Sequence, residues 1–371
     1  MVPFKIKPSI ALYNTFTEFV DAFQIGSGDI LITNEFIYTG GMNNAKLECK
    51  VIFQERHGSG EPSNVMMDSI FQEVRSQAFK RVIAVGGGTV IDVAKLLVLG
   101  GNGNTVDYFE RRLPIEKVKE LILVPTTCGT GSEVTNITIM EIKEQHTKKG
   151  LAAEELYADY AVLIPELLQS LPYKVFATSS IDALVHATES FVAPNSNELT
   201  EIYGLKAIEM IVTGYQQIIA KGQEARSKLM KEFLLASTYA GIAFGNTGVG
   251  AVHALSYPLG GKYHVPHGEA NQQMFTAVFK AYKKVQPKGK LELLEKKLAS
   301  LLGVTTETIW EEFDNLLQKI LPLKPLREYG MEEGECTEFA DSVIANQQRL
   351  LKNNYTPLSR EEMIKIYKEL Y

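Results

Sequence analysis

The sequence predicts two structural parts: a parallel α/β domain over residues 1–165 and an all-helical domain over residues 166–371. In the first part, short β-rich runs alternate with helical patterns, as a parallel sheet with crossover helices requires. Several of those runs are almost wholly apolar, the mark of strands covered on both faces. Near Pro165–Pro172 the strand signals stop, and amphipathic helical windows follow one another to Tyr371.

Taken in order, the expected strands are Asp29–Thr33, Val51–Gln54, Arg81–Val85, Leu121–Pro125 and Tyr160–Ile164, with helices at Ser63–Gln77 and Thr89–Leu99. In the second part the helical windows are Ser180–Phe191, Thr200–Ile219, Lys228–Ala243, Lys290–Leu302, Thr305–Ile320 and Ser359–Tyr371. The window ending at Ile320 puts Ile309, Phe313, Leu316 and Leu317 on one face, which reads as core.

Composition narrows the function classes. With 38 basic against 44 acidic residues the net charge is -6, and no basic block is present, which argues against nucleic acid or an anionic membrane as partner. No apolar run approaches the ~20 residues that span a bilayer, and the N-terminus carries no apolar segment of the signal-peptide kind. Cys49, Cys128 and Cys336 are an odd, sparse set without CxxC spacing, which fits a reducing cytoplasm.

Two loops at strand ends carry ligand-binding character. After RVIAV comes Gly86-Gly87-Gly88-Thr89, opening a helix with Asp92 in its first turns. Three glycines let backbone N–H groups approach a ligand, and the positive end of the helix faces the same place, which favours a diphosphate. A tight turn without a ligand is the plainer alternative. The strand LILVP runs into Thr126-Thr127-Cys128-Gly129-Thr130-Gly131-Ser132, polar residues where open α/β sheets bind ligands. Its plainer alternative is a helix cap at Thr130 or Ser132. Cys128 reads as a small buried filler, with no histidine nearby in sequence to activate it.

The chain has only six histidines, and four fall in the helical part. Asp182 and His186, four residues apart after a serine cap, share one helix face. In HALSYPLGGKYHVPH, a helix through His253 is expected to break at Pro258 and Gly260-Gly261 and to return His264 or His267. Surface pairing and loop structure are the bland readings. Together the segments offer at least three imidazoles and one carboxylate, a donor set that suits Zn(II) or Fe(II).

These segments resemble the iron-containing (group III) alcohol dehydrogenase family, through GGGTVIDVAK, VPTTCGTGSEVT, SSIDALVHATESF, YAGIAFGNTGVGAVHALSYPLGG and VPHGEAN. The resemblance implies a Rossmann-like dinucleotide-binding domain, a helical metal- and substrate-binding domain of the dehydroquinate synthase-like architecture, and an active site in the cleft between them. It implies NAD and one divalent metal, Fe(II) or Zn(II), as cofactors, an alcohol or aldehyde as substrate, and a homodimer or higher oligomer. STYAGIAFGN, GGKYHVPHGEAN and KPLREYGM are most similar to members that interconvert 4-hydroxybutyrate and succinate semialdehyde. Other short alcohols, of the butanol, propanediol or lactaldehyde type, are the alternative.

Carried over by position, the implied metal ligands are Asp182, His186, His253 and His267. The implied cofactor residues are Asn34, Gly86, Gly87, Gly88, Thr89, Asp92, Thr126, Thr127 and Thr130, with Lys149 from the Lys148-Lys149 pair. Asn34 stands where the family often has an Asp that repels a 2′-phosphate, so NAD is favoured only moderately. Glu61 replaces a common Asn. Tyr257 replaces a family histidine linked to proton transfer, which leaves Tyr257 and His264 as candidate catalytic groups. Lys262 and Arg327 are candidate partners for a substrate carboxylate. A cyclase resembling dehydroquinate synthase would need a phosphate-gripping basic cluster that the sequence lacks, and a non-catalytic binding protein would not need the full ligand set.

Overall fold

The computed structural model describes residues 4–42, 45, 47–145 and 147–371. The chain divides into two compact units, Ile6–Leu171 and Pro172–Tyr371, the latter joined by the N-terminal residues up to Lys5.

The first unit is α/β. Its elements are β1 (Ser9–Leu12), α1 (Phe16–Phe23), β2 (Asp29–Thr33), α2 (Glu35–Ile37), β3 (Lys50–Phe53), α3 (Asn64–Val74), β4 (Arg81–Gly86), α4 (Gly88–Leu97), α5 (Thr105–Phe109), β5 (Glu120–Pro125), β6 (Ile137–Ile142), β7 (Thr147–Ala152) and β8 (Tyr160–Leu163). Among the described residues, six strands form one parallel sheet in the order β1-β8-β5-β4-β2-β3. Ile30, Val82 and Leu121 share one buried core with Ile70 of α3 and Ile91 of α4, which is why these strands read as unbroken apolar runs.

The five expected strands are all present, shifted at their ends by no more than one residue. Two features differ from the sequence reading. β1 pairs with β8 at the sheet edge, where Ile10 and Leu12 are exposed. β6 and β7 form a separate antiparallel hairpin. Cys128 is fully buried, as a filler residue should be.

The second unit is helical. It comprises α6 (Tyr173–Val192), α7 (Glu198–Lys221), α8 (Met230–Thr247), α9 (Ala251–Tyr263), α10 (His267–Val285), α11 (Lys290–Leu302), α12 (Ile309–Ile320), α13 (Glu335–Asn346), α14 (Gln348–Leu351) and α15 (Arg360–Leu370). Ile309, Phe313, Leu316 and Leu317 of α12 are buried, as their stripe predicts. Among the described residues, no helix is long and apolar enough to cross a membrane.

At two places the helices differ from the sequence expectation. The serines expected to cap a helix lie inside α6, which starts at Tyr173; Ser180 Oγ instead donates to Ala177 O (3.3 Å) and meets Tyr215 Oη (2.8 Å). The expected break at Pro258 is absent, and α9 runs through it to Tyr263. A proline removes one intrahelical hydrogen bond, but Val252, Leu255 and Leu259 around it are fully buried and hold the helix by packing.

Candidate active site

In the helical unit, three helices each contribute a pair of residues one turn apart. They are Asp182 and His186 on α6, His253 and Tyr257 on α9, and His267 and Asn271 on α10. Residues four apart share a helix face, and the continuity of α9 through Pro258 keeps Tyr257 on the His253 side. Asp182 Oδ1 is the common centre. It lies 3.9 Å from His186 Nε2, 3.7 Å from His253 Nε2 and 3.6 Å from His267 Nε2. Asp182, His186 and His253 are buried, and their ligand atoms all lie within 4.8 Å of one another.

Glu189 determines how His253 presents its ring. Glu189 Oε2 accepts from His253 Nδ1 (2.6 Å), while Oε1 accepts from the Val252 N–H (2.7 Å). With Nδ1 protonated, Nε2 aims a lone pair at the Asp182 cluster. Asn271 Nδ2 donates to Asp182 Oδ1 (2.7 Å) and lies 3.2 Å from His253 Nε2 and 3.3 Å from His267 Nε2. Its Oδ1 is held by the Ser256 hydroxyl (2.6 Å). His186 is stacked between Phe244, at 4.2 Å between centroids, and His253, at 4.8 Å. The position of His267 depends on Gly268, where a Cβ would collide with the carbonyl oxygen of Thr178 on α6.

This set fits a divalent cation. Burial alone would raise the Asp182 carboxyl, but the imidazoles of His186, His267 and His253 and the Asn271 amide hold it below the usual carboxylate range. An anionic oxygen and imidazole nitrogens converge in a buried place. Their separations are close to the ~3.4 Å expected between atoms bound tetrahedrally at about 2.1 Å to one ion. Nitrogen-rich donors with one carboxylate suit Fe(II) or Zn(II).

In the α/β unit the two polar loops lie against each other. Thr126 N donates to Gly86 O (3.0 Å). A Cβ on Gly88 would crowd Thr130, one on Gly87 would touch Thr127, and one on Gly86 would collide with Val90. The glycines are therefore what allow β4, α4 and the second loop to meet. Gly87 caps α4, and Thr89 Oγ1 donates to Gly60 O (3.2 Å).

Asp92 does not present its carboxylate openly. It accepts from Ser132 Oγ (2.7 Å) and from the Ile139 N–H (2.9 Å). The adjacent, fully buried Lys95 donates to Ser132 Oγ (2.6 Å), Thr135 Oγ1 (3.2 Å) and Ile137 O (2.6 Å). Burial raises the Asp92 carboxyl and pushes the Lys95 ammonium down to about 8. Asp92 thus ties α4 to the second loop and to β6.

The remaining candidates are distributed as follows. The Tyr257 ring is half-buried and lies 6.2 Å from the His267 ring. His264 is exposed and closes α9 in the left-handed conformation (φ 53°), outside the Asp182 cluster. On β7, Lys148 pairs with Glu61, beside the Gly60 carbonyl that Thr89 reaches, whereas Lys149 lies 3.8 Å from Glu110 of the α5 end. Lys262 is paired with Glu335, and Arg327 Nη1 donates to the Tyr371 carbonyl (2.9 Å). Sequence reasoning passed over Glu189 and Asn271. Both carried a helical-spacing signal, at seven residues from Asp182 and four from His267.

Residues 24–165 match the family described as iron-containing alcohol dehydrogenase, and residues 176–371 match the C-terminal part of the Fe-containing alcohol dehydrogenase family. The chain belongs to the iron-containing alcohol dehydrogenases. It is 51% identical over 367 residues to 4-hydroxybutyrate dehydrogenase of Clostridium kluyveri, covering 99% of each chain. It is 29% identical over 321 residues to sulfoacetaldehyde reductase of Bilophila wadsworthia, covering 82% of this chain and 80% of that one. Among solved structures, sulfoacetaldehyde reductase from Bifidobacterium kashiwanohense in complex with NAD+ superposes with a TM-score of 0.87 at 20% identity. That match covers 100% of this chain and 98% of the other, and it establishes the shared fold.

Proposed function

We propose that this family member interconverts 4-hydroxybutyrate and succinate semialdehyde with NAD(H), using one divalent ion held by Asp182, His186, His253 and His267. The observation that carries the substrate assignment is the 51% identity to a 4-hydroxybutyrate dehydrogenase over 99% of both chains. The converging donors around Asp182 support the ion.

When bound, the ion supplies Lewis acidity toward the substrate oxygen, and the nicotinamide accepts or gives the hydride. The protein supplies the rest. Asp182 provides the single negative charge of the donor set, and the Asn271 amide, fixed by Ser256, holds its carboxylate in place. Glu189 keeps His253 in the tautomer that offers Nε2. Phe244 covers one face of His186 and keeps water from it. Oxidation of the alcohol releases one proton; the Tyr257 hydroxyl, whose ring lies near His267, takes it up only as it passes its own proton outward, and exposed His264 is the proposed acceptor on the way to solvent.

On the nucleotide side, the N–H groups of Gly86 to Thr89 bind the diphosphate, with Thr126, Thr127 and Thr130 alongside. Asn34 lies on the ribose side. Asp92 acts by positioning α4, and of the two lysines Lys148 is the one beside the glycine turn. We further propose a homo-oligomer in solution.

The test is oxidation of NADH by succinate semialdehyde with the metal-loaded enzyme. The expected result is turnover that exceeds the rate with simple aldehydes. No turnover of the semialdehyde, with rapid reduction of another short aldehyde, would overturn the substrate assignment.

A further inference from the structure

We propose that Glu55 makes this chain select a dinucleotide with a free ribose 2′-hydroxyl over one with a 2′-phosphate. The inference rests on the nucleotide reading of the α/β unit given above.

The strands β3, β2 and β4 are neighbours and parallel, with Thr33 in register with Phe53 on one side and Val85 on the other. Their ends are therefore level, and Asn34, Gln54 and Gly86 follow at one edge of the sheet. When a diphosphate lies on a glycine turn, the adenosine ribose falls over the end of the adjoining strand, where an acidic side chain accepts from the 2′-hydroxyl and an arginine suits a 2′-phosphate. The adjoining strand here is β2, and its own residue at that place is the neutral Asn34.

The charge missing from β2 arrives from β3. Asn34 Nδ2 donates to Gln54 Oε1 (3.1 Å) and to Glu55 Oε2 (3.0 Å). Glu55 Oε1 accepts from the Glu35 N–H at the start of α2 (2.6 Å). The carboxylate is thus fixed beside Asn34 by two donors, one on each oxygen, and each oxygen keeps a lone pair for a hydroxyl. Arg56 is adjacent in sequence and would favour the opposite choice. Its guanidinium is paired, 3.2 Å from Glu35 Oε1, and lies 4.5 Å over the Phe53 ring. Glu35, Glu55 and Arg56 together leave one net negative charge at the place. A phosphate dianion there is repelled, whereas a hydroxyl finds an acceptor.

Direct binding tests this without turnover. NADH and NADPH are titrated into the full-length protein and followed by nicotinamide fluorescence, for the wild type and Glu55→Gln, which removes the charge and one of the two acceptors. The expected result is wild-type binding of NADH about tenfold or more tighter than NADPH, and a variant in which that NADH-to-NADPH ratio falls by about tenfold. In the wild type alone, raising the salt from about 0.02 M to about 0.5 M narrows the NADPH deficit severalfold, because the repulsion is screened. A wild type that prefers NADPH would overturn the proposal. So would normal NADH binding with the NADPH ratio unmoved by both the substitution and salt. Failure of both nucleotides to bind would instead defeat the nucleotide reading on which the proposal stands.

Discussion

Glu189→Gln tests the metal centre with almost no change of shape. The glutamate uses both oxygens as acceptors, one for His253 Nδ1 at 2.6 Å and one for the Val252 N–H at 2.7 Å. A glutamine has one acceptor and one donor, so neither orientation satisfies both partners. With its oxygen on Val252, its amide donates to Nδ1 and forces the ring proton onto Nε2, the atom that faces Asp182. With its oxygen on Nδ1, two donors confront each other in a buried place, at a cost of about 1–3 kcal/mol. The ion-free variant adopts the first arrangement and must convert to the second to bind an ion. Ion affinity is then expected to fall about 5- to 150-fold. Competition of a chelator for zinc measures this directly, with circular dichroism as the control for folding. Zinc affinity within twofold of the wild type, in a folded variant, would refute the tautomer argument.

Other consequences follow from the same geometry. Gly268→Ala places a methyl group against the Thr178 carbonyl, so the first turn of α10 must move and take His267 with it. Metal content after dialysis is expected to drop well below one ion per chain in that variant, while its far-ultraviolet circular dichroism stays near wild type. Glu335 supplies a pH dependence. Burial raises its carboxyl, but the Glu332 N–H and the side chains of Lys262 and Tyr263 more than offset this and hold it down to about 2. Because the folded value lies below the unfolded one, the stabilisation is present above about pH 4.5 and is lost as pH falls toward 2. Thermal melts across that window should show a shallower decline for Glu335→Gln than for the wild type, with the variant less stable at neutral pH.

Legibility from sequence followed burial. The strands β2, β4, β5 and β8 are covered on both faces, so their apolar runs announced them, whereas β3 at the sheet edge is buried mainly at Ile52. β1 is four residues long at the sheet edge with its apolar side chains partly in solvent, and the β6–β7 hairpin carries Glu141, Lys148 and Lys149. Neither offered a run to read. Pro258 misled because a local helix breaker was overridden by packing on both sides of it.

At the site, helical spacing alone put Asp182 and His186 together, but it left His264 and His267 open, and His267 was named only by the family resemblance. His267 begins α10, whose close approach to α6 brings it to 3.6 Å from Asp182, whereas His264 closes α9 in solvent. Glu189 was legible as the third member of the Asp182 face. Glu55 was not, because its meeting with Asn34 depends on the register of two strands joined by a long connection.

A cation among Asp182, His186, His253 and His267 underlies the proposed chemistry, and diffraction at the absorption edge of the loaded metal detects it directly. Crystals of the active, zinc- or iron-loaded enzyme should give one strong anomalous peak per chain within about 2.0–2.2 Å of Asp182 Oδ1 and of the three Nε2 atoms. An active enzyme with no anomalous density there, or with its ion bound elsewhere, would contradict it.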